Sequence, residues 1–161
     1  MSPSVWGMSP TAPCIINRLL MMSHEYRGKC RCGNITFVVT LTRSLETYAP
    51  RACDCAFCTS RALTYLSDPA GALKLNSQLP MTAQTQGSGQ AEFLSCTTCM
   101  VIVAVVYPFE AGLMGAVNAS LIDEHERLQE AVIVSPKLLE PAEKVRRWSK
   151  LWFPVILHEN V

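Results

Sequence analysis

Three short stretches carry the chemistry of this chain: Cys30-Arg31-Cys32-Gly33, Cys53-Asp54-Cys55-Ala56-Phe57-Cys58 and Cys96-Thr97-Thr98-Cys99, which together hold seven of the eight cysteines. Thiols one or two residues apart are poorly placed to bridge each other, but they suit a single metal ion that draws converging ligands. The two outer pairs, Cys30/Cys32 and Cys96/Cys99, predict a closed four-thiolate zinc site. The middle cluster offers three thiolates, Cys53, Cys55 and Cys58, from one short turn. A zinc held by three protein ligands keeps a coordination position open, and that position is where chemistry occurs. The expected cofactor is therefore zinc, two ions per chain.

The roles of the two sites should differ. An ion shared by the outer pairs would close a loop of roughly sixty residues, where a crosslink removes much entropy from the unfolded chain, so this site reads as structural. Gly33 follows the first pair directly and can take the positive φ that a tight knuckle needs. His24, His125 and His158 are each a conceivable fourth ligand for the middle cluster, although a lone histidine is more often solvated or packed. Cys14, upstream of the clusters, reads as a bystander thiol. Two competing readings are a metal-free protein with buried or bridged cysteines and a redox pair at Cys96 and Cys99. The second lacks the strand-to-helix context that activates such a thiol.

Length and composition bound what surrounds the clusters. With 161 residues, 49% hydrophobic and 17% charged, the chain predicts one globular domain rather than disorder. A formal charge of +1 gives no general nucleic-acid footprint, so a nucleic-acid partner is not expected. The apolar stretch 14–22 is broken by Asn17 and Arg18, unlike a secretory signal, and the run 100–107 is too short to cross a membrane. An intracellular, cytoplasmic location without membrane partners is expected, which makes the sequons at Asn34 and Asn118 chance matches.

Along the chain, residues 1–23 carry three prolines and no acidic residue and read as a disordered extension; Met21-Met22-Ser23-His24 offers an alternative start. A zinc-binding domain is expected over 24–135, and a helical segment packed on it over 136–161. Ile35, Phe37, Val39 and Leu41 alternate with neighbours of the opposite face, as in a half-buried strand leaving the first knuckle. Short strands are predicted at 62–67, 72–75, 81–86 and 91–95, with Gly87-Ser88-Gly89 turning between the last two. The β-branched run 101–107 predicts a central buried strand, and 113–118 a neighbour. Pro141 starts a helix with Val145, Trp148 and Trp152 on one face. Its tryptophans are expected to cover the sheet; the alternative is a surface that grips a partner or an acidic ligand through Arg146, Arg147 and Lys150.

From about Tyr26 to Leu121 the chain resembles the glutathione-dependent formaldehyde-activating enzymes, the family that includes centromere protein V. The resemblance is carried by Gly28-Lys29-Cys30-Arg31-Cys32-Gly33, by the three middle cysteines, by the Gly-Ser turn before Phe93, by Cys96-Thr97-Thr98-Cys99 and by Val117-Asn118-Ala119-Ser120-Leu121. It implies an all-β fold, a β-tent of antiparallel sheets organised around zinc, with a short C-terminal helix beyond it. It implies that Cys30, Cys32, Cys96 and Cys99 hold the structural zinc and that Cys53, Cys55 and Cys58 hold the catalytic one. The implied activity is that of a carbon–sulfur lyase: reversible addition of glutathione, as cosubstrate, to a small aldehyde such as formaldehyde. The alternative is a non-catalytic zinc module that mediates protein or nucleic-acid contacts. Among the basic residues near the clusters (Arg27, Lys29, Arg31, Arg51 and Arg61), Arg61 is the expected glutathione contact. Met100 stands where the family carries glycine. A methionine is costly at positive φ, so this knuckle is expected to turn differently or to bind more weakly.

Overall fold

The computed structural model describes residues 23–159. Apart from Ser23, the expected N-terminal extension, with Cys14, lies outside the described residues. Among the described residues, eleven strands form one large mixed sheet with two wings. In the first wing β1 (His24–Lys29), β2 (Ile35–Leu41) and β5 (Ala72–Ser77) pair antiparallel in that order. The alternation in β2 has the expected consequence: Ile35, Phe37, Val39 and Leu41 are buried while Thr36 is exposed.

The second wing is centred on β9 (Gly112–Asn118), which pairs with β4 (Thr64–Leu66) and with β8 (Ile102–Phe109). Beyond β4 lie β3 (Arg51–Cys53) and β10 (Val132–Val134). Beyond β8 lie β7 (Glu92–Ser95) and β6 (Thr82–Thr85). Residues Ile102–Val106 of β8 are all buried, as a continuous apolar run in a central strand requires.

The joint between the wings is β11 (Phe153–Glu159). Its first residues pair antiparallel with β9, and Val155–Glu159 run parallel to β5. This strand changes one expectation. The sheet is not purely antiparallel, since β11 with β5 and β10 with β3 are parallel. Beyond its helix, the C-terminal segment also supplies the strand that joins the two wings. Phe153 and Val155 are buried in the core with Phe37, Leu73, Leu75 and Val106, so the core is incomplete without them.

Two helices matter for the sites. The first, α1 (Ala56–Ser60), is a single turn inside the middle cysteine cluster. The second, α2 (Pro141–Leu151), begins as expected at Pro141, where the Glu143 carboxylate accepts the Glu140 backbone N–H at 3.0 Å. No helix among the described residues is long and apolar enough to cross a membrane.

Candidate metal centres

The outer cysteine pairs sit on two hairpin turns that belong to different wings. Cys30 and Cys32 lie on the turn from β1 to β2; Cys96 and Cys99 lie on the turn from β7 to β8. Both turns close alike, with Cys30 N–H donating to the Ile35 carbonyl at 2.9 Å and Cys96 N–H to that of Val101 at 3.1 Å. The fold brings all four sulfurs within 4.8 Å of one another. Cys30 and Cys32 are 3.7 Å apart, and Cys32 and Cys96 3.5 Å. Four sulfurs at about 2.3 Å from one zinc lie about 3.8 Å from each other, so the donor set fits a tetrahedral thiolate site.

The surroundings favour thiolate at Cys96 and Cys99, while Cys32, hydrogen-bonded to its neighbouring sulfurs, is pushed up. Cys30 Sγ accepts the Ile35 N–H at 3.2 Å, and Cys96 Sγ accepts those of Thr98 and Cys99 and the Asn34 amide. Burial at Cys96 opposes ionisation, yet these donors outweigh it and hold the thiol down to about 6. Such donors orient the ligands and spread their charge. Four thiolates and a zinc would thus clip one wing to the other.

Met100 adopts φ 68 after the last of these cysteines, and Gly33 adopts φ 84 after the first pair. The methionine does not turn this knuckle elsewhere. It is forced through the left-handed region by the hairpin closure around it, with its side chain 69% exposed. Met100→Gly is therefore expected to stabilise the zinc-loaded protein by about 1 kcal/mol, since the left-handed conformation costs a side chain roughly that much. The thermal midpoint should rise by about 2–4 °C. A fall instead would assign the methionine side chain a holding role that its exposure does not suggest.

The middle cluster is a hook formed by the end of β3 and α1. Cys55 caps the helix, its sulfur accepting the Cys58 N–H at 3.4 Å. Cys53, Cys55 and Cys58 lie within 4.8 Å of one another, and among the described residues no histidine, aspartate, glutamate or further cysteine joins them. His24 lies in β1 and His158 in β11, while His125 Nδ1 is engaged with the Ile122 carbonyl at 2.9 Å. None of the three is a fourth ligand. Asp54, inside the hook, faces away from the sulfurs: its Oδ2 accepts the Ser135 hydroxyl at 2.5 Å, and Oδ1 lies 3.9 Å from Lys137 Nζ.

Proton distribution within the hook is uneven. A hydrogen bond from Cys58, with Cys55 N–H adding to it, holds the Cys53 thiol down to about 6 against burial. Cys58 is correspondingly pushed up, by that same bond and by burial. Tyr65, on the strand beside β3, sets its hydroxyl 3.2 Å from Cys58 Sγ, and burial pushes it up as well. Three soft sulfurs sharing protons at this spacing fit a divalent zinc, with the hook supplying three ligands and no fourth.

A cleft of about 160 Å³ opens beside the hook. It is lined by all three cysteines, Tyr65 and Arg51, by the turn at Gly87-Ser88, by Phe93 from β7, and by Arg147 and Trp148 of α2 with Trp152 just beyond that helix. Trp148 stacks on Trp152 with ring centroids 4.7 Å apart and also meets Tyr107 at 5.6 Å. Trp152 is buried against the sheet, whereas Trp148 is half-buried at the cleft wall. Helix α2 thus both covers the sheet and faces the cavity. Arg51 donates to Ser67 Oγ at 2.6 Å, and Ser67 donates to the Leu151 carbonyl at 2.6 Å, which pins the end of α2 over the hook. Burial, with the nearby charge of Arg147, lowers the Arg51 guanidinium to about 10.

Arg61 occupies a different place from the one its sequence position suggests. Its guanidinium lies 3.9 Å over the Phe57 ring, donates to the Phe57 carbonyl, and is exposed outside the cleft lining. The turn of α1 carries it past the hook to the outer side. Arg27, Lys29 and Arg31 are likewise exposed and away from the cleft. The cations that reach it are Arg51, Lys137, Lys144 and Arg147. Tyr65 was not legible as a site residue, because only the pairing of Arg51 with Tyr65 across β3 and β4 brings it to the hook. Asn118, within the motif 117–121, is buried and structural: its amide donates to the Ile102 carbonyl, and its oxygen accepts from Ser120.

No protein-family profile matches the chain, and no curated protein sequence does. Among solved structures it is similar to a Rhodobacter sphaeroides protein determined as a structural-genomics target. The two share 19% identity over 73% of this chain and 93% of that one, with a TM-score of 0.48. A likeness of that degree says nothing of activity.

Proposed function

We propose that this protein is a zinc-dependent carbon–sulfur lyase that joins a thiol to an aldehyde and reverses that reaction, as its resemblance to the glutathione-dependent formaldehyde-activating enzymes implies. The observation that carries the reading is the unequal pair of cysteine sites. One has four sulfurs and bridges two wings of the sheet; the other has three and opens onto a cleft. A purely structural ion needs neither an incomplete ligand set nor an adjoining cavity. The rival reading, a zinc module that docks a protein or nucleic acid, gives the cleft no role.

In the reaction the thiol sulfur bonds to the carbonyl carbon, the carbon–oxygen π bond breaks, and the thiol proton ends on oxygen. A zinc ion, when bound, would favour the thiolate and polarise a carbonyl oxygen. Cys53, Cys55 and Cys58 would hold that ion. The Tyr65 hydroxyl, which lines the cleft 3.2 Å from Cys58 Sγ, would donate to that sulfur and steady it as a ligand. Trp148 and Phe93 exclude water from the reacting centre. Exchange spectroscopy on glutathione and carbon-13 formaldehyde tests the activity: zinc-loaded protein should accelerate interconversion of free and S-hydroxymethyl forms well above the uncatalysed rate. An unchanged rate with glutathione and with simpler thiols would remove the lyase reading.

A further inference from the structure

The cleft pairs its cations with more apolar surface than a glutathione–formaldehyde adduct, which has carboxylates but no ring, would cover. Arg51 and Arg147 both line it, and among the described residues neither meets a carboxylate; the ion pairs found there belong to His125, Arg127 and Lys137. Two guanidinium groups that share one partly enclosed cavity repel each other, and an anion set between them relieves that repulsion while satisfying their free N–H donors. Arg51 is also held in place by Ser67, so its fork is oriented before anything binds. The same lining includes Phe93, Trp148 and Trp152, with the stacked indoles braced by Tyr107. Formaldehyde has no carbon surface for such a wall to cover, whereas a ring or branched chain buried there gains from each square ångström removed from water.

We infer that the thiol taken by this cleft is a carboxylate with an apolar body: its sulfur reaches the hook of Cys53, Cys55 and Cys58, its carboxylate lies between Arg51 and Arg147, and its ring or alkyl chain packs on Phe93 and Trp148. This rests on the reading of the hook as an open metal site and narrows the thiol that site receives. Binding is non-covalent apart from the sulfur–metal contact, so one thiol proton is released to solvent and nothing is oxidised.

Cobalt-substituted protein tests it, because a new sulfur ligand changes the sulfur-to-cobalt absorption whether or not any turnover occurs. Four probes are titrated: 2-mercaptoethanol, mercaptoacetate, 2-mercapto-3-phenylpropanoate and the sulfur-free 3-phenylpropanoate, the last followed by tryptophan fluorescence. The phenyl thiol should bind at least ten-fold more tightly than mercaptoacetate. Arg147→Gln, on the half-buried face of α2, should weaken both mercaptocarboxylates about ten-fold and leave 2-mercaptoethanol unchanged. Trp148→Ala should erase the advantage of the phenyl group. Equal affinity of the three thiols for the unaltered protein, or an equal loss for all three in Arg147→Gln, overturns the inference. If no thiol perturbs cobalt while 3-phenylpropanoate still binds in an Arg147-dependent way, the open-site reading fails and the anion and apolar grip alone is supported.

Discussion

Replacing Cys96 with serine is expected to cost the protein its fold near physiological temperature. Cys96 is fully buried, and its sulfur gathers three N–H donors while sitting 3.5 Å from Cys32 across the junction of the two wings. A structural zinc contributes about 10–16 kcal/mol to folding in small domains. That is comparable with the whole stability of a typical domain, about 5–15 kcal/mol. Serine is a poor zinc ligand and would leave a hydroxyl buried among sulfurs. The thermal midpoint should fall by roughly 10 °C or more, and a chelator should have little further effect. A midpoint within about 2 °C of the parent protein would show that the wings are held by core packing alone.

The second large effect would fall on the proposed activity and should spare the fold. In Cys55→Ser the new hydroxyl can still cap α1, because serine is a favoured N-cap and the capped donor, Cys58 N–H, stays in place. What is lost is one of three sulfurs in a site that has no fourth among the described residues. Zinc content should drop from two ions to one, with the midpoint changed by only about 2–3 °C. Adduct exchange should fall by more than about a hundredfold, since even ligand-supporting groups around a metal cost up to that much. Global unfolding of this variant would make the middle ion architectural.

Much of this arrangement could be read from the chain. Cysteine spacing separates a shared four-sulfur site from a three-sulfur hook because ligand geometry is local: Cys53, Cys55 and Cys58 converge within a single turn. The strands 35–41 and 102–109 were legible for the same kind of reason, their burial following a two-residue period or an unbroken apolar run. What the sequence withheld is non-local. Phe153–Glu159 follows a helix and alternates only at Phe153 and Val155, and nothing local predicts that it would enter between β5 and β9. The cleft shares that limitation, for its lining comes from β7 and from residues 134–137 with α2, which lie far apart in the sequence. Arg61 shows the converse. Closeness in sequence to the hook suggested a binding role, yet one helical turn sends its guanidinium onto the outer face of Phe57.

X-ray absorption on the zinc-loaded protein examines the metal environment itself. With four sulfurs around one ion and three around the other, the average should be about 3.5 sulfurs per zinc, the remainder a light oxygen or nitrogen atom. Adding a mercaptocarboxylate should raise that average toward four. A single zinc per chain, or four sulfurs around every ion before any thiol is added, would contradict an open corner at Cys53, Cys55 and Cys58.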